Sequence, residues 1–275
     1  MVFSARIAQF PVTWDIDANL VHIRRILDGC AAGEWVVFPE GAVSGYGGDM
    51  AALPRLQPER VEAALAELGG LAAARGLHVF AGALVRASGE WANAGIYLPP
   101  AGAPLRYRKL NLAVHERGHV RPGGKLPVIP VRMAGREVRA AIQLCRELRF
   151  PEQWQWLARS GAQVFVHLNN ASGDTVQDPV WRSHLVSRAA ENQRFVLSAN
   201  AAHPAQVGPT LAVDPRGIVL AEAPRGTDAC LRVVVDTDGI SDWYLGQARR
   251  DVVAVQGPVG CAAADHRCPA QDPPG

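Results

Sequence analysis

Apolar and polar positions alternate along the chain in two rhythms. Short runs rich in Val, Ile, Leu and Phe punctuate it at Trp35–Phe38, His78–Val85, Gly95–Leu98, Val138–Leu144, Gln163–Leu168 and Phe195–Ala199. Such runs predict strands buried in a core. Arg6–Val12, Leu105–Lys109, Val128–Val131, Thr210–Val213, Ile218–Ala221 and Leu231–Val235 are predicted as further strands. Between them, Asp17–Ala31 brings Leu20, Ile23, Ile26 and Leu27 onto one helical face, with Asp17 as the expected cap. Pro58–Arg75 is an Ala/Leu/Glu-rich helix with its stop at Gly76. Pro151–Ser160 and Pro179–Asn192 read as two more helices.

The order partly repeats. Helix–strand–helix–strand occurs once before the middle of the chain and once after it, a duplication of architecture without convincing alignment of residues. No composition shift or Gly/Ser linker divides the body, so a single α/β domain is expected over residues 1–257. The last segment, residues 258–275, holds four prolines and little apolar periodicity, and is expected to be a mobile or interface-bound tail.

Composition narrows the class. The 275 residues are 48% hydrophobic and 20% charged, which is globular and leaves ample chain for a core. A net charge of +2 gives no nucleic-acid footprint. The uncharged stretch from Trp91 to Leu105 carries Asn93 and three prolines, so no membrane span is expected. The N-terminus offers no signal-peptide cleavage pattern, and five scattered cysteines do not form a disulfide framework. These features predict a soluble cytoplasmic protein. Cys261, His266 and Cys268 lie close together in the tail but supply only three ligands, so neither a metal nor another cofactor is expected.

Four reactive side chains stand at predicted strand ends or in the loops beyond them. Glu40 follows the run Val36-Val37-Phe38-Pro39, Lys109 closes Tyr107-Arg108-Lys109, Glu116 lies in a loop before Pro122-Gly123, and Cys145 closes a strand. Each has a plain reading alone: a small buried thiol, a loop or cap carboxylate, a solvated basic edge strand. His115, His119 and His167 are candidates for a Cys–His arrangement, but no spacing selects one. Asn169 and Asn170 are either pocket residues or a turn pair before Ser172-Gly173. Trp154, Trp156, Trp181 and Trp243 read as core or interface.

Taken together, the four contexts resemble the nitrilase (carbon–nitrogen hydrolase) superfamily. The resemblance rests on Phe38-Pro39-Glu40, Tyr107-Arg108-Lys109, and Cys145 followed by Arg149-Phe150-Pro151-Glu152. Glu116 stands seven residues before Gly123, as the family's auxiliary glutamate does before its Pro-Gly pair. Trp181–Gln193, Asp214-Pro215-Arg216-Gly217 and Tyr244–Asp251 extend the likeness from about residue 4 to residue 255. Two positions depart from it: Arg146-Glu147 after the cysteine, and Gly41 after Glu40.

The resemblance implies a four-layer α-β-β-α sandwich and a Cys145–Glu40–Lys109 triad that cleaves a small amide through a thioester. It also implies that Glu116 braces the site and that the Arg146 backbone N–H serves as an oxyanion donor. Homodimers or larger homo-oligomers are implied too, paired through Pro151–Ser160, Trp181–Asn192 or the tail. Hydrolysis of nitriles or N-carbamoyl amines by the same triad is the alternative, and a catalytically silent binding scaffold lies outside both. Arg146 and Arg149, beside the nucleophile, suggest a grip on a remote substrate carboxylate. The plainer alternative pairs Arg149 with Glu152 or another buried acid, and Arg146 with Glu147 or Glu191.

Overall fold

The first strand, β1 (Val2–Gln9), turns Phe3, Ala5 and Ile7 into the core and leaves Ser4 and Arg6 partly exposed. A computed structural model of the chain describes residues 1–173 and 175–247. β1 begins and ends earlier than the predicted Arg6–Val12. Its alternation starts at Val2, and Pro11 has no N–H to give a ladder. The helix α1 (Ile16–Asp28) follows, capped by Asp15 rather than Asp17: the Asp15 carboxylate accepts from the N–H groups of Asp17 and Ala18.

β2 (Trp35–Val37), α2 (Pro58–Arg75), β3 (His78–Ala87), β4 (Glu90–Leu98) and β5 (Leu105–Arg108) complete the first half. Gly76 ends α2 in the left-handed conformation. β4 is five residues longer at its start than predicted. Ser88 and Gly89, both at positive φ, form a two-residue hairpin that pairs Ala87 with Glu90. The second half runs β6 (Ile129–Met133), β7 (Arg136–Leu144), α3 (Pro151–Arg159), β8 (Val164–Leu168), α4 (Asp178–Asn192), β9 (Phe195–Ala199), β10 (Leu211–Val213) and β11 (Val219–Glu222). β12 (Ala229–Asp236) and a short helix, α5 (Trp243–Gln247), which the sequence pattern did not suggest, close the described chain.

Two six-stranded sheets result, in the orders β12-β1-β2-β3-β4-β5 and β11-β10-β9-β8-β7-β6. Each is parallel at its centre: Ala5 pairs with Trp35 and Trp35 with His78 in one, Ala140 with Val164 and Val164 with Phe195 in the other. The repeated helix–strand order seen in the sequence thus becomes two matching halves. The sheets face each other across a core that joins Ile7, Trp35, Phe80 and Tyr97 to Ile142, Val166 and Leu197. Outside the first sheet, Leu20 and Ile23 of α1 and Leu65 and Leu68 of α2 pack on Val36 and Val79. Outside the second, Trp154 and Leu157 of α3 and Leu185 of α4 pack on Phe165 and Val196. The layers are α-β-β-α, as expected. β12 belongs to the second half in sequence but pairs with β1, which ties the two halves together. The tail at 258–275, with Cys261, His266 and Cys268, lies outside the described residues, as do residues 248–251 of the Tyr244–Asp251 stretch.

Candidate active site

The carboxyl ends of parallel strands are where an open α/β sheet presents chemistry, because the loops leave there in different directions. Glu40 sits just past β2, Cys145 just past β7, Asn169 and Asn170 just past β8. The loop after β2 stays bonded to β3: Phe38 N–H donates to Phe80 O at 2.8 Å and Gly82 N–H to Pro39 O at 3.1 Å. That approach needs glycine, since a Cβ at position 82 would lie 2.5 Å from the Glu40 Cα. Lys109 follows β5. Its carbonyl accepts from Gly123 N–H at 2.8 Å, and a Cβ on Gly123 would collide with the Arg108 carbonyl. The Pro122-Gly123 pair therefore lets the loop carrying Glu116 close over the end of β5.

Glu40, Lys109 and Glu116 are fully buried. The Lys109 Nζ lies 2.9 Å from Glu40 Oε1 and 3.0 Å from Glu116 Oε2. Asn93 of β4, also buried, donates from Nδ2 to Glu40 Oε1 at 2.7 Å and to Glu116 Oε1 at 2.5 Å. The Ala113 N–H donates to Glu116 Oε2 at 2.5 Å. Glu40 Oε2 is left buried with no hydrogen-bond partner among the described residues.

Charge follows from this crowding. Burial is the main cause that pushes Glu40 up to about 7; Lys109 opposes the rise and Glu116 adds to it. Burial also works against ionisation of Glu116, but Lys109, Asn93 and the Ala113 N–H together hold it below the usual carboxylate range. Burial likewise disfavours the Lys109 ammonium, yet Glu40, the Cys145 thiol and Glu116 keep its pKa raised. The Cys145 thiol is pushed up by burial and Glu40, against the pull of Lys109 and a hydrogen bond from the Asn170 backbone. One ammonium thus faces two carboxylates and a thiol, and Glu40 and Cys145 compete for one proton.

Cys145 has φ of +43°, a left-handed conformation that costs a non-glycine residue on the order of 1–3 kcal/mol. A short 3-10 turn, Cys145–Arg149, begins there, and its neighbours hold it. Glu147 is the main brace. Its Oε1 accepts from Tyr107 Oη–H at 2.6 Å and from the backbone N–H groups of Leu110 and Asn111, while Oε2 accepts from Leu144 N–H at 2.8 Å. One buried carboxylate therefore ties the segment after Lys109 to the residue before Cys145. Arg188 of α4 donates to Leu148 O at 3.1 Å, and His167 of β8 meets Cys145 O at 3.1 Å through Nε2.

A cavity of about 380 Å³ opens over Cys145, with Tyr46, His115, Arg146, Arg149, Asn170 and Trp181 on its walls. No carboxylate among the described residues lines it. Neither arginine takes the acid partner considered from sequence. Glu147 is occupied as above, Glu191 pairs with Arg188 at 2.7 Å, and Arg149 lies over the Trp181 ring at 5.6 Å with Nη2 3.4 Å from Gln177 Oε1. Asn169 is fully buried and is not a wall residue; its carbonyl accepts from Glu40 N–H at 3.2 Å. His115 bonds Tyr46 Oη at 2.9 Å, and His119 lines a different, exposed cleft. Among the described residues no three His, Cys, Asp or Glu side chains gather as metal ligands.

Sequence reasoning missed Asn93 and the bracing by Glu147 and His167. A reading of Ser88-Gly89 as a hairpin turn finds Asn93, because it extends β4 back across that residue. No sequence signal marks the other two.

The sequence model described as carbon-nitrogen hydrolase matches residues 4–244. An (R)-stereoselective amidase of a Pseudomonas species is 31% identical over 244 residues, 86% of this chain and 84% of that one. A 2-oxoglutaramate amidase of Bacillus subtilis is 30% identical over 212 residues, 73% of this chain and 77% of that one. Among solved structures, a mutant of an amidase from Nesterenkonia AN1, of the nitrilase superfamily, superposes with a TM-score of 0.76. That match has 23% identity over 90% of this chain and 95% of the other, and it establishes a shared fold.

Proposed function

Because the chain belongs to the carbon–nitrogen hydrolase family and is a hydrolase of the amidase type, we propose that Cys145, Glu40 and Lys109 form its catalytic triad. The observation that carries this reading is the buried cluster in which Glu40 gives Oε1 to Lys109 and Asn93 and keeps Oε2 unpartnered. A carboxyl held near 7 accepts a proton at neutral pH and returns it later in the same cycle. Glu40 Oε2 takes the thiol proton as Cys145 Sγ attacks the amide carbonyl. The Lys109 ammonium and the Arg146 N–H receive the oxyanion. Glu40 then protonates the leaving nitrogen, ammonia or an amine departs, and a thioester remains on Cys145. Glu40 next removes a proton from water, which attacks the thioester and releases the acid. Glu116 holds Lys109 in place throughout.

The substrate is a small amide that carries a carboxylate away from the scissile bond. Two guanidinium groups on the wall with no acidic partner among the described residues, and a wall without described carboxylates, support that choice. Arg149, held over the Trp181 ring, is placed for a bidentate contact, with Arg146 and Asn170 on the same wall. The unpaired thiols of Cys30, Cys145 and Cys230 support a reducing, cytoplasmic setting.

The test is ammonia release from matched amides and nitriles, with and without a remote carboxylate. Acidic amides are expected to turn over fastest, and Cys145→Ala to abolish turnover while leaving the melting temperature unchanged. Turnover of nitriles alone would overturn the amide assignment, and an active alanine variant would overturn the triad.

A further inference from the structure

We propose that His167, held by Ser198, is a positioning residue that aims the oxyanion donor of this site. The inference rests on the mechanism above, in which the Arg146 N–H is that donor. His167 lies in β8 opposite Gln143 of β7, two residues before Cys145. Its ring is fully buried and sits between two groups: Nε2 is 3.1 Å from Cys145 O, and Nδ1 is 2.9 Å from Ser198 Oγ.

The tautomer follows from the partners. A carbonyl oxygen only accepts, so Nε2 carries the proton and donates it to Cys145 O. Nδ1 is then an acceptor, and the Ser198 hydroxyl donates to it; the other acceptor near that hydroxyl, Pro209 O, is farther, at 3.5 Å. Burial holds the imidazole down to about 4, in keeping with a neutral ring at neutral pH.

The consequence passes through one peptide plane. In a trans peptide the carbonyl of one residue and the N–H of the next point in opposite directions. No cis peptide occurs among the described residues. His167 is not on the cavity wall, whereas Cys145 and Arg146 are. Holding the Cys145 oxygen against His167, away from the cavity, therefore turns the Arg146 N–H toward the cavity, where an oxyanion forms. Donation to the carbonyl also polarises the amide and strengthens its N–H as a donor. Direct attack on the thiol proton is not the role of this histidine, since its donor nitrogen faces the backbone.

The experiment compares two reactions of the same cysteine. Amide hydrolysis passes through an oxyanion; alkylation by iodoacetamide, in which the sulfur–carbon bond forms as iodide leaves, does not. His167→Leu is expected to lower kcat for an amide about ten- to hundredfold, somewhat less than the removal of a whole oxyanion donor, with KM nearly unchanged. Alkylation of Cys145 should keep its wild-type rate. His167→Gln, whose amide nitrogen can occupy the place of Nε2, should recover most of kcat. Ser198→Ala, which frees the other tautomer, should lose kcat several-fold, and it carries the comparison should His167→Leu fail to fold. Wild-type kcat in both His167→Leu and Ser198→Ala would overturn the inference. So would a parallel loss of hydrolysis, alkylation and melting temperature, which marks a structural role. Full activity of Cys145→Ala would overturn the underlying mechanism instead, whatever His167 does.

Discussion

Asn93 supplies both hydrogens of one amide to two buried carboxylates, and that sets which oxygen of Glu40 is free. A hydrogen bond to an ionised group favours the ionised form, so Asn93 pulls the Glu40 pKa down against burial. Asn93→Leu keeps the volume and removes both donors. The Glu40 pKa must then rise. With the unprotonated carboxylate as the proposed base, activity is lost as pH falls through that pKa, and the acid limb of kcat/KM should move to higher pH. A charged hydrogen bond is worth about 1.5–3 kcal/mol and one pH unit about 1.4 kcal/mol, so the move should be about one to two pH units. A pH–rate profile checks it, and an unmoved limb would remove Asn93 from the ionisation of the base. Glu40, Lys109, Glu116 and Cys145 were legible from local motifs because each ends a recognisable strand or opens a turn. Asn93 was not, since a single polar residue within an apolar run gives no sign that its amide meets two carboxylates from distant segments.

At the level of elements, the site depends on the 3-10 turn after β7 and on what joins it to the end of β5. Glu147 makes that join, with the Tyr107 hydroxyl and the N–H groups of Leu110, Asn111 and Leu144 on its two oxygens. In sequence it read only as part of the Arg146-Glu147 departure after the cysteine and as a possible partner of Arg146, because two of its actual partners are backbone groups 36–37 residues away. Glu147→Leu strands four donors at or near the core, the Tyr107 hydroxyl and three backbone N–H groups, each costing about 1–3 kcal/mol. The melting temperature should fall by roughly 8–16 °C for a loss near 4 kcal/mol in a chain of this size. Turnover should fall with it, because Lys109 and Cys145 lose their common anchor. Thermal melts beside kinetics on the folded fraction separate the two effects, and an unchanged melting temperature would rule out the brace. Periodicity located α2 and β9 to the residue, since Gly76 and flanking polar positions mark their ends. It misplaced β1 and the start of β4, where a proline and a two-residue turn, rather than hydrophobicity, set the boundary.

The whole molecule repeats one plan twice: three parallel central strands, two helices outside, and antiparallel strands at the edges. The sequence displayed the plan as a recurring order of elements, but not the exchange of β12 onto β1, which depends on pairing across more than two hundred residues. The two outer helical layers differ in their surfaces. Beyond the second sheet, Trp156 on α3 is 55% exposed, Val180 on α4 is 39% exposed, and Trp243 and Tyr244 on α5 are 60% and 53% exposed. Large aromatics bury about 150–250 Å² each when covered, so this face supplies much of the roughly 800 Å² per partner of a stable interface. We expect a homodimer in which α3 and α4 of one copy pack against those of the other, and the layers continue through both. Light scattering at micromolar concentration should then give about twice the chain mass of 29.4 kDa. Trp156→Glu combined with Trp243→Glu places charge on the face without touching the cavity or the core, and should halve that mass while leaving the melting profile cooperative. A wild-type mass near 29.4 kDa would refute the pairing. A variant that remains dimeric would move the interface to another face of the sandwich.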